Sequence, residues 1–209
     1  MEHKSLTITQ KVIRKLMDKL LTEEMQNDLL VSILKRNYDA RFSREWIQSK
    51  APPHFFDQRF NIMNLAFSDA KFGPFVFNRG FYAAEVIKEG DSVLDIGSGD
   101  GFLTMRFYSS KAKKVDAIDV EPTAIEAAQK YNSNAKTNYY LLDAIHQPFP
   151  DLRYDVIVFD GAIGHIAKDD SAILLEKIAK SLSEDGVFIG SESLGLEGHD
   201  HLQFFKTLE

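Results

Sequence analysis

The stretch VLDIGSGDGF, Val93 to Phe102, decides how the rest of the chain is read. An apolar run carrying one acid, Asp95, leads into three alternating glycines, Gly97, Gly99 and Gly101, and then into an apolar residue. That order predicts a strand, a tight turn and the start of a helix. Glycine admits positive φ in such a turn and lets backbone approach a ligand closely. The first amides of a helix lack intrahelical partners and welcome polar ligand atoms.

Downstream, strands and helices alternate. Strands are expected at about 92–97, 115–120, 137–142, 155–159 and 187–191, with helices at about 101–110, from Pro122, and at about 169–182. Asp155–Phe159 is almost wholly apolar, as a strand covered on both faces should be. The alternation specifies a doubly wound, mostly parallel sheet with helices on both faces. Ligands of such sheets bind at the carboxyl ends of the strands.

Upstream, Val12, Ile13, Leu16, Met17 and Leu20 fall on one helical stripe, and Met25, Leu29, Leu30, Ile33 and Leu34 on a second, with Thr22, Glu23 and Glu24 as a cap and acidic first turn. A helical hairpin over 1–50 is expected, burying its own apolar faces, with docking, dimerisation and a lid as further roles open to it. Ala51-Pro52-Pro53 marks the boundary to a domain over 51–209. An aromatic-rich run from His54 to Tyr82 follows, read mainly as core, and a helix is expected at 76–88.

Bulk properties narrow the function. The 209 residues carry a net charge of −6, which argues against nucleic acid as a partner, since that requires a basic face. There is no cysteine, which excludes disulfides, thiolate metal sites and a thiol nucleophile. No signal segment and no run long enough to span a bilayer is seen, so the expected location is the cytoplasm, with no membrane partner. His199-Asp200-His201 invites a metal, but no further ligand has suitable spacing, so no metal is expected.

The ligand is chosen by what accompanies the glycines. A dinucleotide turn wants G-x-G-x-x-G/A; here the pattern is Gly97-x-Gly99-x-Gly101 and position 102 is Phe. That weakens a nicotinamide-dependent oxidoreductase. Asp119, about twenty residues past the turn, is placed to accept both hydroxyls of a ribose. Asp143 with Ala144, ending the third strand, is placed to read an exocyclic adenine amine. Asp95 is placed to hold an ammonium. Three carboxylates suit a ligand with a ribose, an adenine and an amino-acid cation, and would repel a pyrophosphate.

On these residues, about 75–192 resembles the class I S-adenosylmethionine-dependent methyltransferases, through VLDIGSGDGF, VDAIDVEPTAIEAA, LLDAIHQPF, YDVIVFDGAIGHI and LSEDGVFIGSES. The resemblance implies a Rossmann-like fold, S-adenosyl-L-methionine as cofactor and S-adenosyl-L-homocysteine as product. It implies that Gly97, Ser98, Gly99 and Gly101 pack under the cofactor, that Asp119 binds its ribose, that Val120 packs on adenine and that Asp143 reads the adenine amine. It places Asp160, Gly161 and Ala162 near the methionine, facing the substrate. His165 is the candidate base there, Glu192 a weaker one, and Arg79 a candidate for the cofactor carboxylate.

The family normally adds a two-strand hairpin after strand 5. Here that C-terminal hairpin is expected to be missing, with one helix at 201–208, leaving a strand edge that invites a second chain, as in a homodimer. The segment after strand 4 lacks the Pro-Pro-aromatic motif of base-amine methyltransferases. The expected acceptor is a small molecule or a biosynthetic intermediate, and the alternative is a non-catalytic, methyltransferase-like interaction module.

Overall fold

The computed structural model describes residues 7–42 and 73–192, together with 202, 203 and 205. The Pro52-Pro53 boundary, the aromatics from His54 to Phe72 and the His199-Asp200-His201 triplet lie outside the described residues. The chain forms two compact units, Met1–Gln48 and Ser49–Glu209.

The first unit holds α1 (Ile8–Leu20) and α2 (Glu23–Phe42). Thr7 opens α1 with a complete capping box, its hydroxyl accepting from the Gln10 amide while the Gln10 side chain accepts from the Thr7 amide. Thr22 opens α2 by accepting from the Met25 amide at 3.3 Å. The expected hairpin that buries its own faces is not what forms: Val12, Ile13 and Leu16 of α1 and Met25, Leu29 and Leu30 of α2 are all exposed. Apolar periodicity fixes which side of a helix is apolar, not what covers it.

The second unit begins with α3 (Gly73–Val86) and runs β1 (Ser92–Ile96), α4 (Phe102–Arg106), a 3-10 turn (Tyr108–Ser110), β2 (Lys114–Asp119), α5 (Pro122–Tyr131), β3 (Thr137–Leu141), β4 (Tyr154–Asp160), a 3-10 turn (Ile163–His165), α6 (Lys168–Ser181) and β5 (Leu182–Ser191). The five strands form one all-parallel sheet in the order β3-β2-β1-β4-β5. This is the expected doubly wound sheet. Val93 sits level with Val115 of β2 and Val156 of β4. The reversal of strand order therefore falls at the end of β1, directly under the glycine turn.

Side-chain alternation sorts the strands into two faces. Leu94, Ile96, Ile118, Ile157 and Phe159 pack with Leu174 and Ile178 of α6. Val93, Val115, Val156 and Val158 pack with Ala83 and Ile87 of α3. Ala117 and Tyr139 meet Ile125 and Ala128 of α5. Phe77 and Phe81 of α3 meet Phe107 edge-on, and Phe77 meets Phe102 at 5.6 Å between ring centres, yet Phe81 and Tyr82 are exposed, so this end of the aromatic run is core only in part.

Asp116 in β2 is buried and accepts from Lys114 Nζ at 2.9 Å, Asn138 Nδ2 at 3.0 Å and the Tyr154 hydroxyl at 3.1 Å. Its replacement by alanine strands a buried phenol and an amide. Asp116→Ala is therefore expected to cost about 3 kcal/mol, read from the urea midpoint, and Asp116→Asn less.

Three boundaries differ from expectation. The helix after the glycine turn ends at Arg106, because Phe107 turns out of helical register (φ −114°, ψ −58°) and a 3-10 turn follows that buries Tyr108. β5 starts at Leu182 rather than Val187, absorbing Glu184-Asp185-Gly186 beside an irregular register opposite β4 between Tyr154 and Val156. The helix expected at 201–208 is not formed by the described residues there: Leu202 lies in a bend and Phe205 in a bridge.

Candidate functional site

Alternation also explains how three acids come together. Asp95, Asp119 and Asp160 lie at odd or even steps that put them on the same sheet face as Val93, Val115 and Val158, at the carboxyl ends of β1, β2 and β4. The glycine turn arches beside them, with positive φ at Gly97 (72°), Gly99 (55°) and Gly101 (71°). L-residues rarely adopt that conformation, which is why the turn is glycine-rich.

The turn is fastened to β2. The amides of Gly97 and Ser98 donate to the Ile118 carbonyl at 2.9 and 3.1 Å, and the Gly99 amide donates to Asp119 Oδ2 at 2.8 Å. The other Asp119 oxygen accepts from the Glu121 amide at 2.9 Å. The carboxylate is thus oriented by two backbone donors, and each oxygen keeps a second acceptor position. Burial pushes its pKa up, against these hydrogen bonds.

Asp95 is buried more deeply. Burial raises its pKa to about 7, opposed by the hydrogen bond from Thr104 Oγ1 at 2.5 Å and reinforced by the charges of Asp160 and Asp119. Thr104, on α4 one turn past the glycines, was not singled out by sequence; a threonine inside an apolar helix is the signal that could have found it.

Asp160 ends β4 against two partners, Ser191 of β5 and Arg79 of α3, whose Nε stands 3.3 Å from Asp160 Oδ2. Arg79 is thereby drawn in from the surface and set against Asp160. Its guanidinium lies across Gly161, where a Cβ would collide with it and where φ is +63°. Beside this pair, Tyr82 and Ala83 of α3, Val158 of β4 and Ile189 of β5 line a cleft of about 140 Å³.

The other candidates sit around this centre. Asp143 lies at the loop after β3, with Oδ1 accepting from the Ile145 and His146 amides and Oδ2 2.8 Å from His146 Nδ1. The His146 contact holds its pKa below the usual carboxylate range. Ala144 packs against the core beneath, while Val120 is exposed. Lys177 of α6 clamps this loop, donating to the Ala144 carbonyl at 2.7 Å and to that of Gln147, with its ammonium 4.2 Å from the Phe149 ring centre.

His165 ends the 3-10 turn after β4 and is exposed. Glu192 is drawn into holding that turn, accepting from the Gly164 amide at 2.9 Å. The tail holds it too: the Leu202 and Gln203 amides donate to the Gly164 carbonyl, and Gln203 Nε2 to the Ile166 carbonyl at 2.7 Å and Ser171 Oγ at 2.6 Å. Nothing in the local sequence announces Gln203. Among the described residues no group of three acidic, His or Cys side chains could hold a metal, and no helix is long and apolar enough to cross a membrane.

Residues 93–186 match the family model described as "Methyltransferase domain". This match agrees with the resemblance of 75–192 to the class I S-adenosylmethionine-dependent methyltransferases. Ribosomal protein L11 methyltransferase of Staphylococcus saprophyticus is 30% identical over 105 residues, 50% of this chain and 33% of that protein. N-terminal Xaa-Pro-Lys N-methyltransferase 1 of Danio rerio is 30% identical over 109 residues, 50% of this chain and 48% of that protein. The chain thus spans about half or less of the length of these curated relatives. Among solved structures, N-methyltransferase NodS from Bradyrhizobium japonicum WM9 superposes with a TM-score of 0.52 at 19% identity, covering 58% of this chain and 70% of that one. The [4+2]-cyclase SpnF superposes with a TM-score of 0.54 at 18% identity, covering 62% and 49%. These likenesses establish the fold, and a cyclase among them is a reminder that fold alone does not fix a reaction.

Proposed function

We propose that the chain binds S-adenosyl-L-methionine over the glycine turn and transfers its methyl group to a small molecule or biosynthetic intermediate entering beside Asp160. Residues 51–209 serve as the catalytic domain, residues 1–50 as a helical extension, and the cytoplasm as the working compartment. The observation that carries the reading is the convergence of Asp95, Asp119 and Asp160 on one face around three positive-φ glycines. A buried Ser98 hydroxyl without a hydrogen-bond partner among the described residues adds an unmet polar atom in the same turn.

These residues fit that cofactor. Asp119 would accept the ribose hydroxyls on its remaining lone pairs, and Asp95 would face the amino-acid cation. Val120 and Ala144 would border the adenine, and Asp143 would reach its amine once released from His146. The cofactor supplies an electrophilic methyl group on a sulfonium. The protein's task is to align a nucleophile with it and keep water out. Arg79 stands against Asp160 beside the proposed acceptor path, and His165 is the proposed general base where the acceptor must lose a proton.

Calorimetry with S-adenosylhomocysteine tests the reading, and absence of binding overturns it. Asp119→Ala is expected to weaken that binding by more than about 1 kcal/mol, roughly fivefold or more. An unchanged dissociation constant would remove Asp119 from the ribose site. A second acceptor class is favoured by the two curated relatives, whose names specify protein substrates. Transfer of labelled methyl from the cofactor into protein rather than into small metabolites would select it. Cofactor binding without transfer to either pool would select the non-catalytic module.

A further inference from the structure

We propose that Asn132 and Tyr139 form a strut behind the glycine turn, and that this strut sets the position at which the turn receives the cofactor. The inference rests on the reading of the turn as a cofactor site. Both are positioning residues, acting through the backbone of the turn.

Asn132 closes α5 and is completely buried. Its Nδ2 donates to the Asp100 carbonyl, in the middle of the turn, at 2.7 Å. Its own carbonyl accepts from the Tyr139 hydroxyl at 2.5 Å, and that hydroxyl also lies 3.5 Å from the Gly101 carbonyl. Tyr139 stands on β3, four residues before Asp143. One continuous chain of contacts therefore joins the turn, the end of α5 and the strand that leads to the adenine-side loop.

The division of labour around the turn is sharp. The Gly97, Ser98 and Gly99 amides are fastened to β2 in front. Asp100 and Gly101 are fastened from behind by Asn132 and Tyr139. Asn132 Oδ1 is buried without a hydrogen-bond partner among the described residues. A buried amide that leaves one half unpaired is a poor choice for packing alone, because a leucine would fill similar space with no polar cost. The residue is explained by the bond it makes to the turn. Tyr139 also limits the turn sterically: a Cβ on Gly101 would lie 2.6 Å from its hydroxyl.

The test compares Asn132→Ala and Tyr139→Phe with a neighbour in the same connection. Asn134 donates to Ser109 Oγ at 2.9 Å and accepts from the Lys136 amide at 2.8 Å, away from the turn. Asn134→Ala thus reports loss of local structure alone. By calorimetry with S-adenosylhomocysteine, well below each melting midpoint, Asn132→Ala is expected to weaken binding about tenfold or more and Tyr139→Phe about threefold, with Asn134→Ala under about twofold. In ligand-free protein, the amide resonances of Gly99 and Gly101 should shift in the two strut variants, while those of Gly186 and Gly190 stay in place. Wild-type affinity in both strut variants overturns the proposal, as does an equal loss of affinity per degree of melting temperature in Asn134→Ala. If the wild-type chain itself fails to bind, the cofactor reading falls, and the strut is judged on the glycine resonances of the ligand-free protein; unmoved resonances overturn it.

Discussion

Asp95→Asn is expected to stabilise the ligand-free protein at pH 8 by on the order of 3 kcal/mol while removing most of its affinity for S-adenosylmethionine. Burial holds the native pKa of Asp95 near 7, against 3.8 for the ordinary group. The native state therefore keeps a proton that the unfolded chain releases, and stability falls as pH rises from about 4 to 7. Above pH 7 the full cost of a buried charge is present. Asparagine carries no such charge and retains an oxygen for the Thr104 hydroxyl. The stability gap between variant and wild type should shrink steadily as pH is lowered towards 4, which urea unfolding at several pH values measures. A gap that does not vary with pH would show that Asp95 is not the titrating group. Binding moves the other way: a cationic ligand draws Asp95 into its ionised form, so wild-type affinity should rise with pH up to about 7, and the variant should lose both affinity and slope.

Gly101→Ala is expected to be the most damaging single-methyl addition in the glycine turn. Its φ of +71° alone costs an alanine about 1–2 kcal/mol. The added Cβ also meets the Tyr139 ring at 2.7–2.8 Å and its hydroxyl at 2.6 Å, and that ring is buried between α5 and β3. Either the tyrosine moves and opens the core, or the turn rises off it. A loss of about 3 kcal/mol or more in urea and at least about a hundredfold in S-adenosylhomocysteine affinity follows. Gly90 is the control, since it also has positive φ but a Cβ there meets nothing. Gly90→Ala should cost only the backbone strain and leave affinity intact.

Much of this domain is legible in sequence because its signals are local. Val93–Phe102 states strand, turn and helix start within ten residues, and the burial of β1 and β4 follows from their apolar runs. The convergence of Asp95, Asp119 and Asp160 needs only period-two alternation together with the parallel register. What sequence could not show depends on partners far away in the chain. Arg79 is set against Asp160 only because that residue, 81 positions later, is brought to it. The early start of β5 is held by Arg153, which donates to the Lys180 and Leu182 carbonyls at 2.7 Å, and no turn propensity at Glu184-Asp185-Gly186 encodes that. Asp143 matches an adenine reader in spacing, yet its oxygens are occupied by His146 and two loop amides, a local competition that spacing cannot reveal. The stripes of α1 and α2 specify amphipathic helices, but not the surface that would cover them.

Helix α6 carries one more consequence. Its first turn holds Ser171, which accepts from Gln203 beside the turn bearing His165. Two turns later Lys177 grips the carbonyls of the Asp143 loop. Six residues, about 9 Å along one helix, separate these two contacts, so the acceptor side and the adenine side of the proposed site are fastened to the same element. One helix therefore holds both the turn that bears His165 and the loop that bears Asp143, and a substitution that loosens it would disturb the two together.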